Sequence, residues 1–281
     1  MGNPFIPFRQ GENMPRAFPF VKPEARIRIL SPHLDDAALS CGGTLYRLRR
    51  EGHPVEVITV FAGDPVLPLP PFAQALHECW GSGEAAMAMR RAEDRDAMAL
   101  LQAIPIHWLF PDTIYRRDAQ GQPLCRGRED LFRAPHPDEA IWIGRIQEAL
   151  AALSWNAGDL LLAPLALGGH VDHRLVRMAV ESWERPGVLR GFYEDFPYAE
   201  WEGFSGLPGA SFHSVELTEE DLEVKARAIR AYRSQWPIFF AAEEEILARI
   251  RTYALRVGKG TPAERFWFPM GFPPVDLSGV A

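Results

Sequence analysis

Residues 27–36 read IRILSPHLDD, a short apolar run that ends in a turn bearing one imidazole and two carboxylates. The run predicts a buried strand, and the turn places His33, Asp35 and Asp36 at its carboxyl end. A glycine pair at 42–43 follows within a segment that has the pattern of a helix. Open α/β sheets bind their ligands at the carboxyl ends of their strands. The segment therefore predicts an α/β fold with a cluster of metal-binding residue types at the end of its first strand.

From residue 26 onward, apolar runs typical of strands alternate with segments of helical periodicity. The predicted strands cover residues 26–30, 54–61, 106–110, 159–165 and 188–196. The predicted helices cover residues 37–51, 84–102, 137–153, 174–184, 218–232 and 241–253. This alternation predicts a mostly parallel sheet between two layers of helices. We therefore expect a three-layer α/β fold with a C-terminal helical extension, followed by a tail that contains residues 266–268.

The domain organisation is expected to be simple. Residues 1–25 are rich in proline and show no periodicity, which predicts an N-terminal arm on the domain surface. Residues 26–281 contain no internal repeat, low-complexity tract or convincing linker. A chain of 281 residues is long enough for one large α/β domain, and we expect a single domain over 26–281.

Composition and charge exclude several classes of partner. Hydrophobic residues make up 47% and charged residues 24%, which is typical of a soluble globular protein. The net charge of -7, without a stripe of lysine and arginine, argues against nucleic acid. No stretch approaches the roughly 18 apolar residues of a membrane span, and no signal peptide is visible, so no membrane association is expected. The three cysteines form no CxxC pair and indicate reduced thiols and a cytoplasmic location.

A second cluster of the same kind follows the predicted strand 159–165, where residues 168–173 read GGHVDH. Because the carboxyl ends of neighbouring parallel strands meet at one edge of a sheet, we expect the two clusters to converge. Two imidazoles and one carboxylate form the open three-ligand set of zinc hydrolases, which leaves a position for water. We assign His33, Asp36 and His173 as the metal ligands.

The remaining polar residues of the two clusters are assigned other roles. Asp35 is adjacent to a ligand but faces otherwise, so it is free to act as a general base toward water. His170 is better placed to stabilise a tetrahedral oxyanion or to protonate the leaving nitrogen. Asp172 could hydrogen-bond an imidazole nitrogen and fix its tautomer and orientation. The alternative for both aspartates is a helix N-cap, since each comes just before or at a predicted helix start.

Three further motifs have structural interpretations. Residues 135–139, PHPDE, mimic the first cluster, but they follow a polar loop, and their proline and acids suit a helix start. Residues 81–86, GSGEAA, have no strand before them, so dinucleotide binding is not expected. For the glycine pair at 42–43, close backbone packing and a substrate-facing role stay open.

The two clusters resemble the motifs of the PIG-L (LmbE-like) N-deacetylases. The resemblance is carried by PHLDD at 32–36, together with the glycine pair, and by HVDH at 170–173. Further matches lie at 90–93, 97, 101, 109–112, 193–198, 225, 228, 232, 234 and 235. Together they cover roughly residues 26–236, and the paired His/Asp motifs in this order are the specific part.

This resemblance implies a Rossmann-like fold and a zinc-dependent hydrolase, with another divalent transition metal as an alternative. The substrate would be a small molecule or glycan with an N-acetylglucosamine-type amino sugar, from which the enzyme removes the acetyl group. It implies the same ligands, base and His170 role as assigned above. It also suggests that Arg90 and Asp112 contact sugar hydroxyls or phosphate, with an ordinary helix charge as the alternative for Arg90. Relatives of this kind often assemble, so a homo-oligomer is compatible with the resemblance.

Three departures from the family pattern bear on the site. Leu34 stands where the family usually has proline, which changes the stiffness of the turn but no ligand. Ala37 stands where the motif usually continues with glutamate, so any hydrogen bond that this carboxylate would accept is missing. Gly168 and Gly169 precede His170 where some relatives carry bulkier residues, which leaves the shape of the site open there.

Two other classes of function are alternatives to this interpretation. A sugar-binding module could use the metal only to grip hydroxyls, and it would release no acetate. A nicotinamide-dependent oxidoreductase needs a glycine-rich turn after the first strand, where His33 and Asp35 stand instead. Under the leading interpretation, the loops at 64–83 and 113–136 choose the substrate, and the polar segment 121–133 is a candidate lid.

Overall fold

The computed structural model describes residues 14–81, 83–201, 206 and 209–269. Within them, one sheet of seven strands has the order β3-β2-β1-β4-β5-β7-β6. The strands are β1 Ile27–Ser31, β2 Val55–Thr59, β3 Ile104–His107, β4 Leu160–Pro164, β5 Leu189–Tyr193, β6 Ala210–Glu216 and β7 Ala263–Pro269. The first five strands are parallel, whereas β7 runs antiparallel to both β5 and β6. The predicted mostly parallel α/β sheet is confirmed.

Helices cover both faces of this sheet. The helices are α1 Asp36–Arg50, α2 Pro71–Cys79, α3 Ala86–Leu101, α4 Ile141–Ala152, α5 Val171–Ser182, α6 Tyr198–Trp201, α7 Glu219–Ala231, α8 Trp236–Phe239 and α9 Glu245–Val257. Helices α1, α3 and α7 pack together, and α4 packs against α5. Alternate residues of β1 enter different hydrophobic clusters: Ile27 and Ile29 join α1, α3 and α7, and Leu30 joins α4 and α5. All five residues of this strand are buried, and burial on both sides explains why the run IRILS is mostly apolar, with Arg28 and Ser31 as the exceptions.

The order of the strands places both sequence clusters at one point. After β1 the chain moves outward to β2 and β3, and it then returns to β4 on the other side of β1. The β1–β4 neighbours therefore form the topological switch point, where open α/β sheets bind ligands. His33 follows β1 and His170 follows β4, so the two clusters lie at the same edge of the sheet.

The C-terminal part contains strands that the sequence did not predict. Residues 266–268 belong to β7, which lies between β5 and β6, and are not a tail. Strand β6 and helix α2 were also missed, whereas α7 and α9 form the predicted helical extension, with α9 starting four residues later than expected. None of the described helices combines the length and the apolar character that crossing a bilayer requires.

The part of the predicted N-terminal arm that is described, residues 14–25, contributes buried side chains. Ala17, Phe18 and Val21 belong to the same core cluster as α1, and the Phe18 ring lies edge-on to Phe266 with centroids 5.1 Å apart. Residues 1–13 of the predicted arm, and 270–281 of the predicted domain, lie outside the described residues.

Candidate active site

The first half of the site is a turn that Ser31 holds between β1 and α1. The Ser31 hydroxyl donates to the carbonyl oxygen of His33 at 2.6 Å and accepts the Ala37 N–H at 3.0 Å. The Asp36 carboxylate accepts the backbone N–H of His33 at 2.8 Å. Asp35 occupies the N-cap position of α1, but its side chain makes no capping hydrogen bond. The carboxylate of Asp35 therefore does not cap the helix, which was the alternative to its role as a base.

The second half of the site is the start of α5. His170 is the N-cap residue, and its Nδ1 accepts the Asp172 N–H at 3.2 Å. Asp172 lies inside the first turn and does not cap the helix with its side chain. The turn before it needs glycine, because Gly168 and Gly169 have φ of +76° and +74°. A Cβ at Gly168 would lie 2.5 Å from the Tyr198 ring, so the glycine pair lets this ring pack beside the site.

The two expected histidine ligands both lie close to one carboxylate oxygen of the third expected ligand, Asp36. Asp36 Oδ2 lies 3.2 Å from His33 Nδ1 and 3.3 Å from His173 Nε2. The side chains of Asp36 and His173 come from α1 and α5, which begin at the ends of adjacent strands. The predicted set is therefore assembled by the β1–β4 switch point.

The outer nitrogen of each of these imidazoles faces a second carboxylate. His33 Nε2 lies 3.0 Å from Asp172 Oδ2, and His173 Nδ1 lies 2.6 Å from Asp195 Oδ1. A carboxylate in this position fixes the tautomer and orientation of a metal-ligating histidine. The structure thus places Asp172 against an imidazole nitrogen, and its role in orienting that ring stays a prediction. No role was assigned to Asp195 from the sequence. Its position just after β5, at the same edge of the sheet as the two clusters, could have indicated one.

This donor set fits a divalent cation. If the outer nitrogens carry the protons of the neutral rings, the inner nitrogens, His33 Nδ1 and His173 Nε2, present lone pairs to the Asp36 carboxylate. This contact is favourable only if the inner nitrogens are also protonated or if a cation lies beside Asp36. For His173, burial acts to lower the pKa, but Asp36 and Asp195 together raise it to about 9. A metal ion would take the place of those protons. Within the described residues, two groups offer ligand atoms that all lie within 4.8 Å of one another: His33, His170 and His173, and His33, Asp112 and Asp172. Asp36 belongs to neither group and is included for its contacts with both imidazoles.

His170 accepts a backbone hydrogen bond at one ring nitrogen and has a lowered pKa. Burial, followed by the neighbouring imidazoles of His33 and His173, holds the pKa of His170 well below its usual value. Because Nδ1 accepts a backbone N–H, the proton of the neutral ring lies on Nε2. The ring centroid of His170 lies 4.8 Å from that of His33. The arrangement suits donation of a hydrogen bond to a developing oxyanion.

Asp35 lies beside the ligands and faces Arg90. Burial and then the carboxylate of Asp36 raise the pKa of Asp35 to about 6, although Arg90 acts in the opposite direction. Arg90 Nη2 lies 3.8 Å from Asp35 Oδ1, and the guanidinium lies over the Trp80 ring at 4.8 Å. Arg90 is only 4% exposed, so it is not a solvated helix charge. A carboxyl group with a pKa near the working pH is suited to general base catalysis.

Asp112 also lies at the centre of the site. Its Oδ2 is 3.6 Å from His33 Nε2, and its Oδ1 accepts the Ile114 N–H at 3.1 Å. Contact of Asp112 and Arg90 with a substrate stays a prediction. The loops expected to choose that substrate face each other across a cavity of about 660 Å³, with residues 66–68 on one side and Tyr115, Arg117 and Leu124 on the other.

The PHPDE segment, the glycine motif at 81–86 and the glycine pair at 42–43 lie in surroundings that fit their structural interpretation. His136 caps the short helix Pro137–Glu139, within the PHPDE segment. The glycine motif at 81–86 follows α2, not a strand, and its residue 82 lies outside the described part. A Cβ at Gly43 would lie 2.7 Å from Leu217, which favours the close-packing interpretation of the glycine pair.

Comparison with known proteins assigns the chain to a class. The family model PIG-L, described as GlcNAc-PI de-N-acetylase, matches residues 29–184. The 2'-N-acetylparomamine deacetylase of Niallia circulans is 32% identical over 253 residues, which cover 85% of this chain and 88% of that protein. The crystal structure of the zinc inhibited form of teicoplanin deacetylase Orf2 has a TM-score of 0.76 at 30% identity, covering 86% of this chain and 97% of that one. The structure of the A40926 pseudoaglycone deacetylase Dbv21 has a TM-score of 0.70 at 29% identity, covering 88% and 97%.

The fold, together with likeness to deacetylases over most of the chain, defines a hydrolytic N-deacetylase. The chain belongs to the PIG-L family. This membership favours the enzyme over both alternatives, the sugar-binding module and the nicotinamide-dependent oxidoreductase.

Proposed function

We propose that this protein is a zinc-dependent N-deacetylase that removes the acetyl group from an N-acetylglucosamine-type amino sugar. The observation that carries the proposal is the position of Asp36 Oδ2, 3.2 Å from His33 Nδ1 and 3.3 Å from His173 Nε2, with Asp35 beside them. His33, Asp36 and His173 would hold the metal, and another divalent transition metal is the alternative to zinc. The three free cysteines fit the predicted cytoplasmic location, and assembly into a homo-oligomer stays a prediction.

The substrate class is supported by what the relatives are called. One is a 2'-N-acetylparomamine deacetylase and another a teicoplanin deacetylase, and a further structure is a deacetylase-teicoplanin complex. We propose that this chain likewise acts on a small molecule or glycan that carries an acetylated amino sugar. Arg90 and Asp112, both buried at the site, are proposed to contact its hydroxyl groups or a phosphate group.

The reaction is hydrolysis of the amide bond. When bound, the metal polarises the acetyl carbonyl and makes water more acidic. Asp35 accepts a proton from the attacking water, whose oxygen adds to the acetyl carbon. The Nε2–H of His170 donates a hydrogen bond to the oxyanion that develops on the former carbonyl oxygen. The C–N bond then breaks, and Asp35 returns its proton to the leaving nitrogen, which gives acetate and a free amine.

Substitution Asp35→Asn tests this assignment. We expect the variant to retain metal, because Asp35 is not a ligand, and to lose acetate release by about 100- to 10,000-fold, the usual contribution of a general base. Acetate release is measured on a panel of N-acetylglucosaminides, and metal content by elemental analysis. Asp96→Asn on the exposed side of α3 is the matched control and should behave as the wild type.

Two results would contradict the proposal. One is a metal-free preparation with undiminished acetate release, and the other is an Asp35→Asn variant with wild-type rates. Binding of the sugars without any acetate release would instead support the sugar-binding alternative.

A further inference from the structure

A buried arginine contacts the carboxylate that faces His33. Arg116 Nη1 lies 2.7 Å from Asp172 Oδ1, and Arg116 Nε donates to the Pro111 carbonyl oxygen at 3.0 Å. The side chain of Arg116 is 3% exposed. This residue lies outside every motif that the sequence singled out, yet it is one contact away from a proposed metal ligand.

Asp172 uses its two oxygens in different directions. Oδ1 faces Arg116, whereas Oδ2 lies 3.0 Å from His33 Nε2 and accepts the Thr113 N–H at 3.1 Å. The side chain is fully buried, and a buried carboxylate without a compensating cation is strongly unfavourable. Arg116 supplies that cation at Oδ1, on the other carboxylate oxygen from the one that faces His33.

Arg116 is itself held in place by a buried glutamate and by two aromatic rings. Glu139 Oε1 lies 3.2 Å from Arg116 Nη1 and accepts the Thr113 hydroxyl at 3.0 Å. The guanidinium carbon lies 4.4 Å from the ring centroid of Phe61 and 5.4 Å from that of Trp142. Glu139 is 0% exposed. In this arrangement the guanidinium lies with Nη1 toward both Glu139 and Asp172.

We propose that Arg116, anchored by Glu139, is a positioning residue for the metal centre. Through Asp172 it keeps the imidazole of His33 turned so that Nδ1 faces Asp36. This inference rests on the ligand set of the proposed function. It also gives the PHPDE segment at 135–139 a role. Its glutamate, Glu139, holds Arg116 in place, and none of its residues is a proposed ligand.

Metal affinity is the direct test, since it does not depend on the substrate. The dissociation constants for Zn²⁺ and Co²⁺ are measured by competition with a chromophoric chelator. We expect Arg116→Met to raise both constants by about 10- to 100-fold, as is usual when an outer partner of a metal-ligating histidine is disturbed. Arg116→Lys should recover part of the affinity, because lysine keeps the charge but lacks the planar fork.

Arg133→Met is the matched control. Arg133 Nη1 pairs with the same Glu139 at 2.7 Å, but its side chain is 23% exposed and contacts Glu139, not Asp172. We expect its metal affinity to stay within about twofold of the wild type. The visible spectrum of the Co²⁺-loaded protein should shift in Arg116→Met and stay unchanged in Arg133→Met, a difference that loss of stability alone would not produce.

An Arg116→Met variant that binds Co²⁺ with wild-type affinity and spectrum would overturn the inference. If that variant does not fold, Glu139→Gln takes its place: weaker metal binding supports the inference and wild-type binding overturns it. A wild-type protein that binds neither metal would contradict the proposed ligand set itself, which separates failure of the proposed function from failure of the Arg116 step.

Discussion

At the scale of single residues, the site depends on the partners of its histidines. Both expected histidine ligands have an outer nitrogen that faces a buried aspartate, Asp172 for His33 and Asp195 for His173. Such a pair leaves the inner nitrogen with its lone pair directed at the metal position. The orientation of the proposed ligands is therefore set by two buried carboxylates.

Asp195→Asn tests the second of these pairs. We expect metal affinity to fall by about 10- to 100-fold, because the amide lacks the charge that holds the His173 N–H and cannot accept at both positions. Asp195 also accepts the Leu167 N–H at 3.0 Å. The measurement is the metal content that remains after dialysis against buffers of fixed free Zn²⁺.

The control for this variant is Asp159→Asn. Asp159 is equally buried and accepts the Arg26 and Asn156 N–H groups at the opposite end of β4. If both variants retained the same amount of metal, the assignment of Asp195 would be wrong.

At the scale of elements, β7 completes the helix that carries Asp36. Helix α1 has non-helical dihedral angles at Cys41, with φ of -134° and ψ of 22°. The N–H groups of Gly43 and Thr44 instead donate to Glu264 of β7, at 3.2 and 2.8 Å. Glu264 also pairs with Lys225 of α7 at 2.6 Å. One buried ion pair therefore connects α1, α7 and the antiparallel part of the sheet.

Glu264→Gln should destabilise the protein by about 3–5 kcal/mol, because it leaves Lys225 as an uncompensated charge in the core. The free energy of unfolding is measured by urea denaturation. The control is Glu219→Gln, which removes one partner of the exposed Arg251–Glu219 pair and should cost no more than about 1 kcal/mol. Equal losses in the free energy of unfolding would show that the buried pair contributes no more to stability than an exposed pair.

The elements that the sequence predicted are those whose pattern is local. Strands β1 and β4 were predicted because their runs are mostly apolar, as is typical of strands with both faces buried. Strand β6, ASFHSVE, is partly exposed and mixed in composition, and β7 follows a turn near the end of the chain, so neither gave a strong signal. Helix α2 was hidden by the prolines that precede it.

The same distinction holds for the site. His33, Asp35 and Asp36 were predictable because polar residues at the end of an apolar strand leave few interpretations. Arg116 and Glu139 were not, because their position against Asp172 depends on tertiary packing that no local pattern encodes. Arg116 comes from a loop, and Glu139 lies in the short helix Pro137–Glu139.

At the scale of the whole molecule, metal binding should stabilise the folded chain. The donor set exists only when the ends of β1 and β4 are paired, so the unfolded chain does not contain it. A ligand at 100 times its dissociation constant adds about 2.7 kcal/mol to the free energy of unfolding. We expect the melting temperature of chelator-treated protein to rise by several degrees as Zn²⁺ is added.

The measurement is a thermal melt over a series of free Zn²⁺ concentrations. Asp36→Ala, which lacks the shared carboxylate, should melt at one temperature throughout the series. A wild-type protein that is equally insensitive to Zn²⁺ would contradict the proposed centre.

The crossing of the chain at the switch point has a consequence for fragments of the protein. His33 and Asp36 lie before β2, whereas His173 comes after β4. Between them, residues 119–122 form an exposed tip, the kind of segment where a chain can be cut without loss of its core. A chain divided there would carry two of the donors in one piece and the third in the other. Neither fragment alone would then carry the complete proposed ligand set, and recovery of metal binding on mixing would report that the two halves had reassociated.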